Sequence, residues 1–151
     1  MEKLTIYFHV GTGKTGSSVI QNFLDVNRHN LFTNHNCLYP NVNDRHYQSG
    51  RLHNHCEWFT RVSDTDETFI TEIKKIIEYA KKRHLTKIVF SCEGWLLNKK
   101  VPPKIKLIVD SDKGIEVKIV GYLRRVDYWV ESAWKQWGMK VNEDYHEYIH
   151  S

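Results

Sequence analysis

No apolar run in the 151 residues reaches membrane-spanning length, which leaves out an ordinary transmembrane helix. Met1-Glu2-Lys3-Leu4-Thr5 passes straight into a strand-like segment, so no secretory leader is expected, and a secretory-pathway enzyme would need an anchor. Cysteine is scarce. Cys37, Cys56 and Cys92 are odd in number and show no paired spacing, so reduced thiols and a cytoplasmic location are expected. There is no repeat, no low-complexity tract and no basic run studded with aromatics, so nothing points to a nucleic-acid module. A net charge of +4 suits an anionic small ligand or an acidic glycan as well as it suits nucleic acid. A hydrophobic fraction of 40% with 13% aromatic residues is that of a folded chain, and the length fits one domain around one core.

What is present is organised around Ile6-Tyr7-Phe8-His9-Val10-Gly11-Thr12-Gly13-Lys14-Thr15-Gly16-Ser17-Ser18. This reads as a short strand, a loop of glycines and hydroxyls with one lysine, and a helix start carrying Val19, Ile20, Phe23 and Leu24 on one face. Loop and helix-start N–H groups carry partial positive charge, glycines let a phosphate approach, and Lys14 adds a point charge. The stretch is an anion cradle. Gly11 to Gly16 fits G-x-G-x-x-G, but a dinucleotide site needs an acid about twenty positions on, and Leu31-Phe32-Thr33-Asn34-His35-Asn36-Cys37 holds none. The NTP-type P-loop needs a glycine where Phe8 stands, ahead of Gly13-Lys14-Thr15. A third pattern is the order itself: lysine, hydroxyl, glycine and two hydroxyls in Lys14-Thr15-Gly16-Ser17-Ser18.

Periodicity predicts a first helix over 17–28, then a long excursion over 30–61 with one short helix near 53–61. Such an excursion is a natural place for acceptor contacts. It carries His46, His53, His55 and Cys56, which read as surface or core residues, as acceptor or proton-transfer groups, or as metal ligands. Asp64 and Glu67 form a capping-box pattern for a helix whose apolar face is Phe69, Ile70, Ile73, Ile76, Ile77 and Ala80. Lys87 to Cys92 is a nearly continuous apolar run, the pattern of a strand covered on both faces, with Glu93 at its end. Val101-Pro102-Pro103 breaks the chain before a brief helix over 104–109. A strand over 116–123 delivers Arg124 and Arg125, and a helix over 126–140 follows with Trp129, Ala133 and Trp137 as a core stripe.

Strands alternating with helices predict an α/β fold of three layers, with a mostly parallel central sheet and flanking helices. Three strand ends then meet on one rim and bring Lys14, Glu93 and Arg124 into one crevice.

Lys14-Thr15-Gly16-Ser17-Ser18 resembles the 5′-phosphosulfate loop of sulfotransferases that use 3′-phosphoadenosine 5′-phosphosulfate, PAPS. Tyr122-Leu123-Arg124-Arg125-Val126-Asp127-Tyr128-Trp129-Val130-Glu131-Ser132 resembles their 3′-phosphate site, an arginine at a strand end and a serine eight positions later in the next helix. An arginine fork beside a hydroxyl suits a terminal phosphate. Covering roughly residues 4 to 140, the resemblance implies a P-loop-NTPase-like sulfotransferase core, one domain over residues 1–151 without the C-terminal part of the usual family domain. It implies PAPS as co-substrate without a metal, held by Thr12, Gly13, Lys14, Thr15, Gly16, Ser17, Ser18, Arg124 and Ser132. It implies that Lys14 stabilises the leaving group and that Glu93 is the general base, with His53 or His55 as the fallback. The implied activity is sulfuryl transfer to a hydroxyl or amine of an unidentified acceptor, a carbohydrate among the candidates. Two alternatives stay open. One is a P-loop kinase, for which a strand-end aspartate to hold Mg²⁺ is missing; the other is a nucleotide-binding domain without turnover.

Overall fold

The computed structural model describes residues 3–11, 16–48, 50, 52, 54–122, 124–139 and 144. Strand β1 (Leu4–Gly11) lies in the middle of a parallel sheet, between β3 (Lys87–Cys92) and β4 (Ile115–Tyr122), with the two-residue β2 (Cys37–Leu38) beyond β3. Six α-helices accompany it among the described residues: α1 (Ser17–Val26), α2 (Arg28–His35), α3 (Cys56–Val62), α4 (Asp66–Lys82), α5 (Val101–Ser111) and α6 (Val126–Ala133). The arrangement is consistent with a three-layer α/β fold. Register then fixes the geometry of interest. Val10 pairs with Cys92 and Gly11 with Tyr122, so β1, β3 and β4 end together on one rim.

Alternation along β1 sorts the two faces of the sheet. Leu4, Ile6, Phe8 and Val10 are buried with Ile88 and Phe90 against α3, α4 and α5. Trp58 of α3 stacks on Phe90 with ring centroids 5.3 Å apart, and Phe8 and Phe59 meet Trp95 at 5.5 and 5.0 Å. On α4 the buried residues are Phe69, Ile73, Ile76, Ile77 and Ala80, the helical stripe expected from the sequence apart from Ile70, which is half-buried. Burying each such large apolar side chain stabilises by about 1.5–3 kcal/mol. The opposite face of β1 presents Thr5, Tyr7 and His9, in register with Lys87, Val89 and Ser91 of β3. That face is largely polar.

Several expectations are corrected. The first helix stops at Val26, and α2 starts after Asn27. The inward residues of α1 are polar, Ser17 and Gln21, while Val19 and Phe23 are 75% and 58% exposed. Arg28, at the head of α2, is buried as well. Its buried guanidinium pairs with Asp25 and donates to the carbonyls of Tyr39 at 3.0 Å and Gly50 at 2.7 Å, tying down the excursion. Thr65, not Asp64, caps α4, its Oγ1 accepting from the N–H of Thr68 at 3.0 Å. Helix α5 begins at Val101 because prolines in a first helical turn give up no intrahelical hydrogen bond. β3 is buried over its last three residues, whereas the outer strand β4 is exposed from Lys118 to Tyr122. Beyond α6, a π-helical turn covers Trp134–Gly138; Ala133 is buried, Trp129 half-buried, and the Trp137 side chain lies outside the described residues.

The cysteine reading is corrected too. Cys56 at the start of α3 and Cys92 at the end of β3 form a disulfide, with Cα atoms 5.1 Å apart, and Cys37 is the buried free thiol. The argument from reduced thiols to a cytoplasmic location falls with it. No described helix is long and apolar enough to cross a membrane.

Candidate functional site

The rim where β1, β3 and β4 end is assembled from three departures of the chain. From β1 the chain leaves at Gly11; Thr12, Gly13, Lys14 and Thr15 lie outside the described residues, and it resumes at Gly16. Gly16 has φ 85°, a left-handed conformation that a side chain would strain. Its carbonyl accepts from the N–H of Val19 at 3.1 Å, and no side chain among the described residues caps α1. An uncapped helix start facing a rim offers N–H groups and the positive end of the helix dipole to an anion. Ser17 is buried at this start and Ser18 is exposed.

From β3 the chain leaves through a 3-10 turn, Glu93–Trp95. Trp95 drops into the core against Phe8 and Phe59, which anchors the turn and holds half-buried Glu93 at the rim. There the hydroxyl of Ser17 donates to Oε2 of Glu93, joining the two sequence-derived elements directly. Oε1 of Glu93 has no partner among the described residues. Beside this pair lies His9, which the sequence reading missed. It is 4% exposed, its Nδ1 is 2.7 Å from Oγ of Ser91, and its ring meets Tyr122 edge-on at 5.5 Å. Burial pushes the His9 imidazole below its ordinary value, with the Glu93 carboxylate pulling the other way. The available signal was the polar alternation Thr5, Tyr7, His9 inside an otherwise apolar strand.

From β4 the chain reaches exposed Arg124 and, within α6, half-buried Ser132. Arg125 is engaged separately, donating from Nε and Nη2 to the two oxygens of Asp127 at 3.1 and 2.7 Å. The charge of Arg124 bears on Glu131, whose carboxyl is held low first by Lys135. The adjacent arginines are thus differentiated: one is turned to Asp127, the other stands where β4 ends.

His53 lies outside the described residues, and His55 is a core residue. His55 Nε2 donates to the carbonyl of Pro40 at 2.9 Å, and its Nδ1 accepts from the N–H of Ser91 at 3.1 Å. Both nitrogens are engaged, and burial pushes the ring down to about 4. With Cys56 in the disulfide, His55 and Cys56 offer no metal ligand. Cys37 is equally inert, its thiol pushed up to about 11 by burial. Val42 to Tyr47 of the excursion line an open hollow of about 590 Å³ against residues of α4 from Glu72 to Lys82 and against Arg83 just beyond it.

No protein-family model matches this chain, and no curated protein or solved structure matches it either.

Proposed function

We propose that this chain binds PAPS across the rim and transfers its sulfuryl group to an acceptor hydroxyl or amine. The observation that carries the reading is the hydrogen bond from Ser17 to Glu93, which joins the helix start of the phosphate-type loop to the carboxylate at the end of β3. The register of β1 with β4 adds that Tyr122, and with it the approach to Arg124, ends beside Gly11.

In this reading Thr12 to Ser18 cradle the 5′-phosphosulfate, and Arg124 with Ser132 holds the 3′-phosphate by charge-assisted hydrogen bonds. The acceptor oxygen attacks sulfur in line as the bond from sulfur to the bridging oxygen breaks. Negative charge builds on the leaving phosphate of adenosine 3′,5′-bisphosphate, where Lys14 and the loop N–H groups stabilise it. Glu93 takes the acceptor proton through Oε1, while Ser17 fixes the carboxylate through Oε2. His55 has no nitrogen to spare for that step.

Calorimetry tests the reading. Adenosine 3′,5′-bisphosphate should bind with a micromolar Kd without added metal, and Lys14→Ala or Arg124→Ala should weaken it about tenfold or more. Preference for ATP with Mg²⁺ would indicate a kinase, and binding without transfer to any glycan or small alcohol a nucleotide-binding domain without turnover.

A further inference from the structure

We propose that the Nε2–H of His9 donates to an oxygen of the sulfuryl group carried by PAPS, which adds a ligand-binding residue to the site and rests on the reading above.

The tautomer follows from Ser91. Its side chain is fully buried, and its hydroxyl has one partner among the described residues, Nδ1 of His9 at 2.7 Å. A buried hydroxyl must place its hydrogen somewhere, so Ser91 donates and Nδ1 accepts. The ring hydrogen is then on Nε2. That atom is buried and has no hydrogen-bond partner among the described residues.

Position supplies the direction. His9 pairs in register with Val120, yet its ring meets Tyr122, two residues nearer the rim. The imidazole therefore leans toward the end of the strand, and its Nε2 side faces away from Ser91. Gln21, one turn along α1 from Ser17 and 1% exposed, carries a second buried nitrogen without a partner among the described residues. Unanswered donors beside an uncapped helix start call for a group that is all acceptor. A sulfuryl group has three oxygens and no hydrogen. Because burial pushes His9 below its ordinary value, the ring is a neutral donor near pH 7 and adds no charge of its own.

The 5′-phosphate could supply the same oxygens, so the test compares two nucleotides that differ by the sulfuryl group alone. Kd values for PAPS and for adenosine 3′,5′-bisphosphate are measured on the whole chain and on His9→Phe, His9→Gln and Ser91→Ala. His9→Phe should weaken PAPS about tenfold to a hundredfold and leave the bisphosphate within about twofold. His9→Gln, which keeps a donor, should recover most of the loss. If His9→Phe does not fold by its melting curve, Ser91→Ala reads the same contact and should weaken PAPS alone. Equal losses for the two nucleotides, or none for either, would overturn the assignment of His9 while leaving the proposed function standing. A wild-type chain that binds neither nucleotide would overturn the proposed function itself.

Discussion

Ser17, the first residue of α1, donates its hydroxyl hydrogen to Glu93, the first residue after β3. The two are 76 positions apart in the chain. Their contact joins the start of α1 to the end of β3, and it orients the carboxylate proposed as the base.

Glu93→Gln keeps the side chain's shape and an acceptor for Ser17 but removes the group that takes the proton. Turnover is expected to fall by about 10²–10⁴-fold, with affinity for adenosine 3′,5′-bisphosphate unchanged. Steady-state rates and calorimetry on the same preparation check this. Unchanged turnover would take Glu93 out of the base role.

Arg28 is buried with Asp25 and serves two carbonyls that bring the excursion back to α2. Arg28→Met would leave Asp25, 14% exposed and still accepting from the N–H of Leu52, without its counter-charge, and the carbonyls of Tyr39 and Gly50 without their donor. A loss of about 3–5 kcal/mol is expected, read as a lower urea midpoint; a loss below about 1 kcal/mol, the range of an exposed pair, would contradict the burial.

The disulfide closes a loop of 36 positions. Chain-entropy bookkeeping gives it about 4 kcal/mol of stability, so Cys56→Ala with Cys92→Ala should lower the denaturation midpoint accordingly. Thiol titration in guanidinium without reductant should find one reactive thiol, Cys37. Three would show that Cys56 and Cys92 are not joined.

His55 is expected to titrate at about pH 4 in the folded chain, against about 6.5 unfolded. The folded value is the lower one, so the unfolded state takes up the proton first as pH falls. The contribution is fully present above pH 6.5 and drains away as pH drops toward 4, about 3 kcal/mol in all. Imidazole NMR shifts across this range check it; a His55 midpoint near 6.5 would contradict the core assignment.

Where the sequence repeated a pattern, it was legible. β3 runs over Lys87–Cys92 as read, α4 buries the predicted stripe but for half-buried Ile70, and β4 differs by one residue at each end. β2 was not legible because two residues carry no period. The disulfide was not legible because pairing depends on α3 meeting the end of β3, a tertiary fact that spacing does not encode. On α1, apolar spacing favoured Val19 and Phe23 as the inward face, but the buried residues are Ser17, which donates to Glu93, and Gln21, a tertiary pairing that spacing does not encode. His9 was passed over because one histidine in an apolar strand reads as core until Ser91 and Tyr122 are placed beside it.

The most direct test of the two-ended clasp compares adenosine 3′,5′-bisphosphate with adenosine 5′-phosphate, which lacks the 3′-phosphate, on wild type, Lys14→Ala and Arg124→Ala. Lys14→Ala is expected to weaken both nucleotides, and Arg124→Ala to weaken the bisphosphate alone by about tenfold or more. If Arg124→Ala weakened both equally, or neither, Arg124 would not be the 3′-phosphate ligand and one nucleotide would not span the rim.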